Sequence, residues 1–186
     1  MIKGFFFDLD GTLVDTHQAN YQAYKKALAD FDVLIDFEDF KATIGYQAQN
    51  FLPRLAPNLS GDDYQAIARN KAEYYKELMH LTELNEGLVR FLELMSADHM
   101  LALVTTAKPA NAQAVLEHHG LTHYFQHVIT SADVAESKPS PEAYILALKK
   151  TGLEPNEVIA FEDSPAGQQS AEAAGISVVL INEFTV

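Results

Sequence analysis

Short apolar runs bounded by polar residues or glycine recur along the chain at residues 2–7, 100–104, 127–129, 158–161 and 177–181. Runs of this length and punctuation predict buried strands. Between the later runs the period lengthens. Leu88, Phe91, Leu92 and Met95 fall at i, i+3, i+4 and i+7, one face of a helix. Ala112, Val115 and Leu116 mark another helix, closed at Gly120. Pro141 opens a third that ends near Gly152, and Ser164-Pro165 reads as an N-cap and first-turn proline for a fourth that stops at Gly175. Strands alternating with helices predict a doubly wound, Rossmann-like α/β fold with a parallel sheet covered on both faces.

Residues 16–83 break the alternation. Tyr21, Tyr24, Leu28 and Phe31 share a helical face, and Tyr64, Ile67, Ala68, Lys71, Tyr74, Tyr75 and Leu78 mark a second long helix. No strand is evident there, and residues 33–35 are ambiguous between strand and loop. The expected organisation is an α/β core of residues 1–15 and 84–186 carrying an all-helical insertion at 16–83. Its hinges are expected near residues 15–17 and 82–87.

Composition narrows the partners. The chain has 186 residues, 48% of them apolar, with 13 basic and 26 acidic side chains and a formal charge of −13. That balance argues against a nucleic-acid or anionic-membrane surface, which needs a basic patch. With no cysteine, disulfides and thiolate metal sites are excluded, and a reducing, cytoplasmic location is the expectation. No apolar run reaches the roughly 20 residues of a membrane helix, and the N-terminus lacks the layout of a signal peptide. The histidines at 118, 119, 123 and 127 read as surface or loop residues rather than a zinc site.

The acidic balance sharpens one question: where an anionic substrate would find positive charge. Clusters of polar residues follow the predicted strands, at the sheet edge where open α/β folds bind ligands. Asp8-Leu9-Asp10-Gly11-Thr12 follows the first strand, and alternation places Asp8 and Asp10 on the same side. Gly11 permits a sharp exit with exposed amides. Thr105 and Thr106 follow the run at 100–104, Lys138 lies in the loop before the next helix, and Glu162-Asp163 follows the run at 158–161. Together they suit phosphoryl transfer. A carboxylate can attack phosphorus, and a second acid can protonate the leaving oxygen and then activate water. Magnesium suits clustered carboxylates, and a lysine and a hydroxyl can hold the remaining phosphoryl oxygens. Taken singly, each residue has an ordinary structural reading: strand-end turn former, β-branched strand residue, solvated loop lysine. For Glu162 and Asp163 it is to oppose a helix dipole.

With these motifs in order, the sequence resembles the haloacid dehalogenase-like (HAD) hydrolase superfamily, in its phosphatase branch with a small helical cap. The segment from Asp8 to Asp15, DLDGTLVD, matches the family's first motif. Thr105 matches the second, Lys138-Pro139 the third, and FEDSPAGQQSAEAAG at 161–175 the fourth. The resemblance spans essentially the whole chain. It implies that Asp8 is the nucleophile, Asp10 the general acid and base, and Thr105 and Lys138 the phosphoryl-binding residues. Mg2+ would sit among Asp8, Asp10 (through its carbonyl), Glu162 and Asp163, and the insertion would be a cap closing over the substrate.

The presence of Asp10 favours phosphate esters, because relatives that displace halide lack an acid there. The resemblance to beta-phosphoglucomutase raises a rival, phosphoryl transfer as a mutase, with which Thr16 is compatible. Against it, Asn20 stands where that branch has a cap histidine, and the cap loop TIGYQAQNF lacks an arginine for a second phosphate. A non-catalytic module binding a phosphometabolite is a further alternative. Gly11, Thr106, Gly45, Gln49 and Lys71, with Tyr46 and Gln47 beside them, are candidate substrate-binding residues; Tyr46, Gln47, Gln49 and Lys71 read first as ordinary surface or cap-packing residues. The short C-terminus is similar to that of compact members resembling fructose-1-phosphate or 6-phosphogluconate phosphatases. The expected partner is a small phosphorylated metabolite, neither nucleic acid nor membrane, and the chain is expected to be a monomer.

Overall fold

In a computed structural model, which describes residues 1–43 and 48–181, the chain divides into two compact units, Met1–Asp15 with Glu83–Val186 and Thr16–Thr82. The first is an α/β unit. In chain order it contains β1 (Gly4–Phe7), β2 (Val14–Asp15), β3 (Glu83–Leu84), α5 (Glu86–Met95), β4 (Met100–Val104), α6 (Pro109–His118), β5 (His127–Ile129), α7 (Glu142–Thr151), β6 (Val158–Glu162), α8 (Pro165–Ala173) and β7 (Ser177–Leu180). The second carries α1 (His17–Ala29), α2 (Phe37–Lys41), α3 (Ala48–Leu55) and α4 (Gly61–Glu77).

The strand-helix alternation of the sequence becomes a five-stranded sheet of order β5-β4-β1-β6-β7, with each neighbouring pair parallel. β1 is central, and its four residues are all buried. Successive side chains of a strand point to opposite faces, and the three phenylalanines divide accordingly. Phe6 joins a core with Tyr144, Ala143 and Ala147 of α7 and Ala171 of α8. Phe5 and Phe7 face the other way, against Phe91 of α5, with Phe7 stacked on Phe161 at 5.0 Å between ring centroids. A strand so covered on both faces is held rigidly where it ends.

β2 and β3, two residues each, pair antiparallel, Val14 beside Leu84 and Asp15 beside Glu83. No strand was expected at residues 83–84, because a two-residue pair is too short to leave a period in the sequence. In the helical unit the face predicted from Tyr21, Leu28 and Ile67 is the buried one, joined by Phe40, Phe51 and Leu52. α2 and α3 escape sequence reading because they are short, and α3 contains Pro53. The start of α4 is fixed by a capping box, with the Ser60 amide donating to Asp63 at 2.8 Å and the Asp63 amide returning to the Ser60 hydroxyl at 3.3 Å. Among the described residues no helix is long and apolar enough to cross a membrane.

Candidate active site

The register of the sheet assembles the site. Phe7 lies beside Leu103 on one side and Phe161 on the other, so Asp8, Val104-Thr105 and Glu162 emerge together at the carboxyl edge of three adjacent strands. The Asp8 amide continues the ladder, donating to the Phe161 carbonyl at 3.0 Å. The chain then turns over Leu9, whose carbonyl accepts from Thr12, Leu13 and Val14, while Gly11 donates to Val14 at 2.9 Å.

Gly11 is required twice. Its φ of +87° belongs to the left-handed region, and a Cβ there would lie 2.2 Å from Asp163 Oδ2. Thr12 is fully buried, and its hydroxyl donates to Asp163 Oδ1 at 3.2 Å. Its carbonyl accepts from Asn85 Nδ2 at 3.2 Å, and Asn85 Oδ1 in turn caps α5 by accepting from the Leu88 amide. Asn85 thereby ties the loop after β1 to the segment that returns at β3.

Lys138 is the hub. Its side chain is only 4% exposed. Its ammonium donates to Asp8 Oδ1 at 2.7 Å, to the Val104 carbonyl at 2.7 Å and to Glu162 Oε1 at 2.5 Å, which accounts for all three protons of the group. Burial alone would lower the Lys138 pKa, but the facing Asp8 and Glu162 carboxylates outweigh it and raise the pKa. Glu162 is fully buried. Burial, and then the Asp8 charge, push its carboxyl up to about 8 against the opposing pull of Lys138 and Tyr144. Tyr144 donates its hydroxyl to Glu162 Oε1. Burial first and Glu162 second raise the phenol well above its ordinary value.

The loop carrying Lys138 is fastened from two helices. Both carboxylate oxygens of Glu142, at the start of α7, accept from the amides of Ala135 and Glu136, at 2.9 and 2.7 Å. Ser170 of α8 donates to the Ser140 carbonyl at 2.6 Å. Thr105 is buried at the end of β4, its hydroxyl accepting from the Ala107 amide at 3.0 Å and its own amide donating to Ile129 at 2.9 Å. Thr106 beside it is exposed. Asp10 is half-buried and bridges to Val14.

One carboxylate oxygen each from Asp8, Glu162 and Asp163 lie within 4.8 Å of one another. This donor set fits a hard divalent cation such as magnesium, which takes oxygen ligands. One observation supports the fit. Glu162 Oε2 is buried and has no hydrogen-bond partner among the described residues, although buried polar atoms are normally satisfied.

The structure thus bonds Asp8 and Glu162 to Lys138, places Asp163 beside both carboxylates, and holds Asp163 by the Thr12 hydroxyl against Gly11. Asp10, Thr105 and Thr106 follow β1 and β4 at the same strand ends, whereas the other expected residues belong to the helical unit. Gln49 is exposed on α3. Lys71 is buried on α4, its ammonium 4.1 Å from the Tyr75 ring centroid and 5.3 Å from that of Tyr24. Gly45, Tyr46 and Gln47 fall outside the described residues. Sequence reasoning missed Tyr144, the Val104 carbonyl, Asn85 and Gly167. A glycine in the first helical turn after the acidic pair is an available signal for Gly167, and no local pattern marks Tyr144. The backbone carbonyl leaves none.

Comparison with known proteins fits this geometry. A family model described as haloacid dehalogenase-like hydrolase matches residues 5–181. The chain belongs to this family. It is 29% identical over 177 residues to the fructose-1-phosphate phosphatase YqaB of Escherichia coli, covering 95% of this chain and 94% of that protein. It is 33% identical over 186 residues to hexitol phosphatase A of the same organism, covering 97% of this chain and 83% of the relative. Among solved structures, CbbY from Rhodobacter sphaeroides in complex with phosphate superposes with a TM-score of 0.86 at 28% identity, covering all of this chain and 88% of that one. That structure therefore shares the fold of this chain.

Proposed function

We propose that the chain hydrolyses a small phosphomonoester, a sugar or polyol phosphate, through a covalent phosphate on Asp8. As a member of this hydrolase family it is a phosphoric monoester hydrolase. The reading is carried by the buried group of Asp8, Lys138 and Glu162 at the carboxyl edge of the central strand. A carboxylate paired with an ammonium, at the open end of a rigid strand, is placed to act as a nucleophile.

In the first step an Asp8 carboxylate oxygen attacks phosphorus. The bond from phosphorus to the sugar oxygen breaks, and the carboxyl of Asp10 gives its proton to that oxygen. Asp10, now a carboxylate, takes a proton from water as the water oxygen attacks the same phosphorus. The acyl-phosphate bond breaks, inorganic phosphate leaves and the Asp8 carboxylate is restored. Lys138, giving up one of its three present acceptors, and the buried Thr105 would hold phosphoryl oxygens, with the amides after Gly11 and the Thr106 hydroxyl at the rim. Asp8, Glu162, Asp163 and the Asp10 carbonyl would hold Mg2+, which when bound neutralises the clustered charge and polarises the phosphoryl group.

The helical unit is read as the cap, with Gly45, Gln49 and Lys71 as its candidate substrate contacts. Hydrolysis is favoured over phosphoryl transfer as a mutase because Asn20 donates to the Thr16 hydroxyl of its own helix at 3.1 Å, and an amide offers no proton that titrates near neutrality. The names of the relatives support fructose 1-phosphate and hexitol phosphates as first substrates to try. The same reading takes the protein as a cytoplasmic monomer. It is tested by a phosphate-release screen over sugar and polyol phosphates with and without magnesium. Release from at least one ester, abolished by chelation, is expected. Isomerisation of a hexose 1-phosphate without phosphate release would move the chain to the mutase class.

A further inference from the structure

Two residues without an assigned role enclose the Glu162 carboxylate. On one side stands Tyr144, fully buried on α7, whose hydroxyl donates to Oε1, the same oxygen that receives Lys138. The Lys138 ammonium also lies 5.4 Å from the centroid of its ring. On the other side is Gly167 of α8, where a Cβ would lie 1.8 Å from Glu162 Oε2 and 2.2 Å from its carboxyl carbon. The Gly167 backbone does not adopt a positive φ. Its conformation would therefore accept alanine, a better helix former. What requires glycine here is the space taken by the Glu162 side chain.

The enclosure has a chemical consequence. Two donors are spent on Oε1, and Oε2 is left buried with no hydrogen-bond partner among the described residues. A carboxylate that could turn would share its two oxygens among its donors. This one is prevented from doing so by a hydroxyl behind it and a helix turn against it.

We propose that Tyr144 and Gly167 are positioning residues for Glu162, the one by its hydrogen bond and the other by its missing side chain. Together they lock the carboxylate in the orientation that bonds Lys138 through one oxygen and keeps the other unspent for a divalent cation. The proposal rests on the magnesium-dependent reading of the site and deepens it. Residues that orient metal ligands from behind typically change metal affinity or activity by about 10- to 100-fold when altered.

The test is calorimetric titration of Mg2+ into the purified protein, with kcat and KM measured on a sugar phosphate that the wild type hydrolyses and with thermal melts to confirm folding. Tyr144→Phe keeps the ring and removes the donor. It is expected to weaken Mg2+ binding by about 10- to 100-fold and to lower kcat with little change in KM. Gly167→Ala is expected to lose at least as much. Pairing it with Glu162→Asp, which withdraws the carboxylate by one methylene, restores part of the Mg2+ affinity, a rescue that general helix damage would not show. Wild-type Mg2+ affinity and kcat in Tyr144→Phe would overturn the proposal alone, as would losses in the double variant that simply add. A wild-type protein that binds no Mg2+ would overturn the functional reading along with it.

Discussion

In the α/β unit the strand-end carboxylates of Asp8 and Glu162 are buried against Lys138 of the loop before α7, whereas in the helical unit the buried Lys71 lies over the rings of Tyr24 and Tyr75. The first arrangement follows from the backbone. Parallel strands in fixed register deliver their following residues to one edge, so charge collects there whether or not it is easily desolvated. The second follows from helix faces, where a long aliphatic stem packs along aromatic surface and its charged head meets the rings. Strand-end charge crowded in this way calls for chemistry or a cation to justify its burial. A lysine on an aromatic helix face is equally at home as packing. The α/β unit therefore declares a site, and the helical unit declares mainly a core.

That contrast can be broken by substitution. Asp8→Asn keeps the shape of the side chain and removes the attacking charge, so turnover should fall by at least about a thousandfold while the protein remains folded. Phosphate release from purified protein checks it, and wild-type turnover would remove Asp8 from the chemistry. Lys138→Ala leaves two buried carboxylates without their ammonium. Removing one partner of such a group costs about 3–5 kcal/mol, so the variant should lose both turnover and stability in denaturant melts. If stability were unchanged, the strand-end charges would not be coupled as their geometry implies.

In the helical unit, Leu28→Ala empties part of a fully buried core position and should cost about 2–5 kcal/mol. Mg2+ titration of the folded variant should match wild type, because the acidic group belongs to the other unit. Loss of Mg2+ binding would show the two units to be interdependent. The smallest effect is expected at Glu142, whose carboxylate is held below its ordinary range by the amides of Ala135 and then Glu136. A depressed pKa contributes stability that is present above the ordinary range near 4.5 and lost as pH falls through the lower, folded-state value. Glu142→Gln retains one acceptor and no charge, so its melting temperature should vary less with pH on the acid side than that of wild type. An unchanged acid limb would mean that the clamp on the Lys138 loop adds nothing.

How much the sequence reveals follows the same division. The strand runs at 100–104 and 127–129 coincide with β4 and β5, and the clusters at Asp8, Lys138 and Glu162-Asp163 meet because parallel topology leaves them little alternative. Turn glycines and caps were readable because each has a local signature; Ser164, whose hydroxyl accepts from the Gly167 amide at 3.0 Å, is one. What was not legible depends on contacts between distant residues. Nothing near Tyr144 announces that its hydroxyl will reach Glu162, 18 positions on. The Val104 carbonyl that receives Lys138 is backbone and carries no sequence signal. The β2–β3 pair was missed for want of length, and helical periodicity in residues 16–83 marked a packed face without indicating what that face is for.

The most direct test of the account is to find where the phosphoryl group goes. Rapid acid quench during turnover of a labelled sugar phosphate, followed by borohydride reduction and peptide mass spectrometry, reads the site of any acyl phosphate. The account predicts an acyl phosphate on Asp8, read after reduction, which releases the phosphate, as homoserine at that position and absent in Asp8→Asn. Steady phosphate release with no acyl phosphate on Asp8 at any quench time would contradict it.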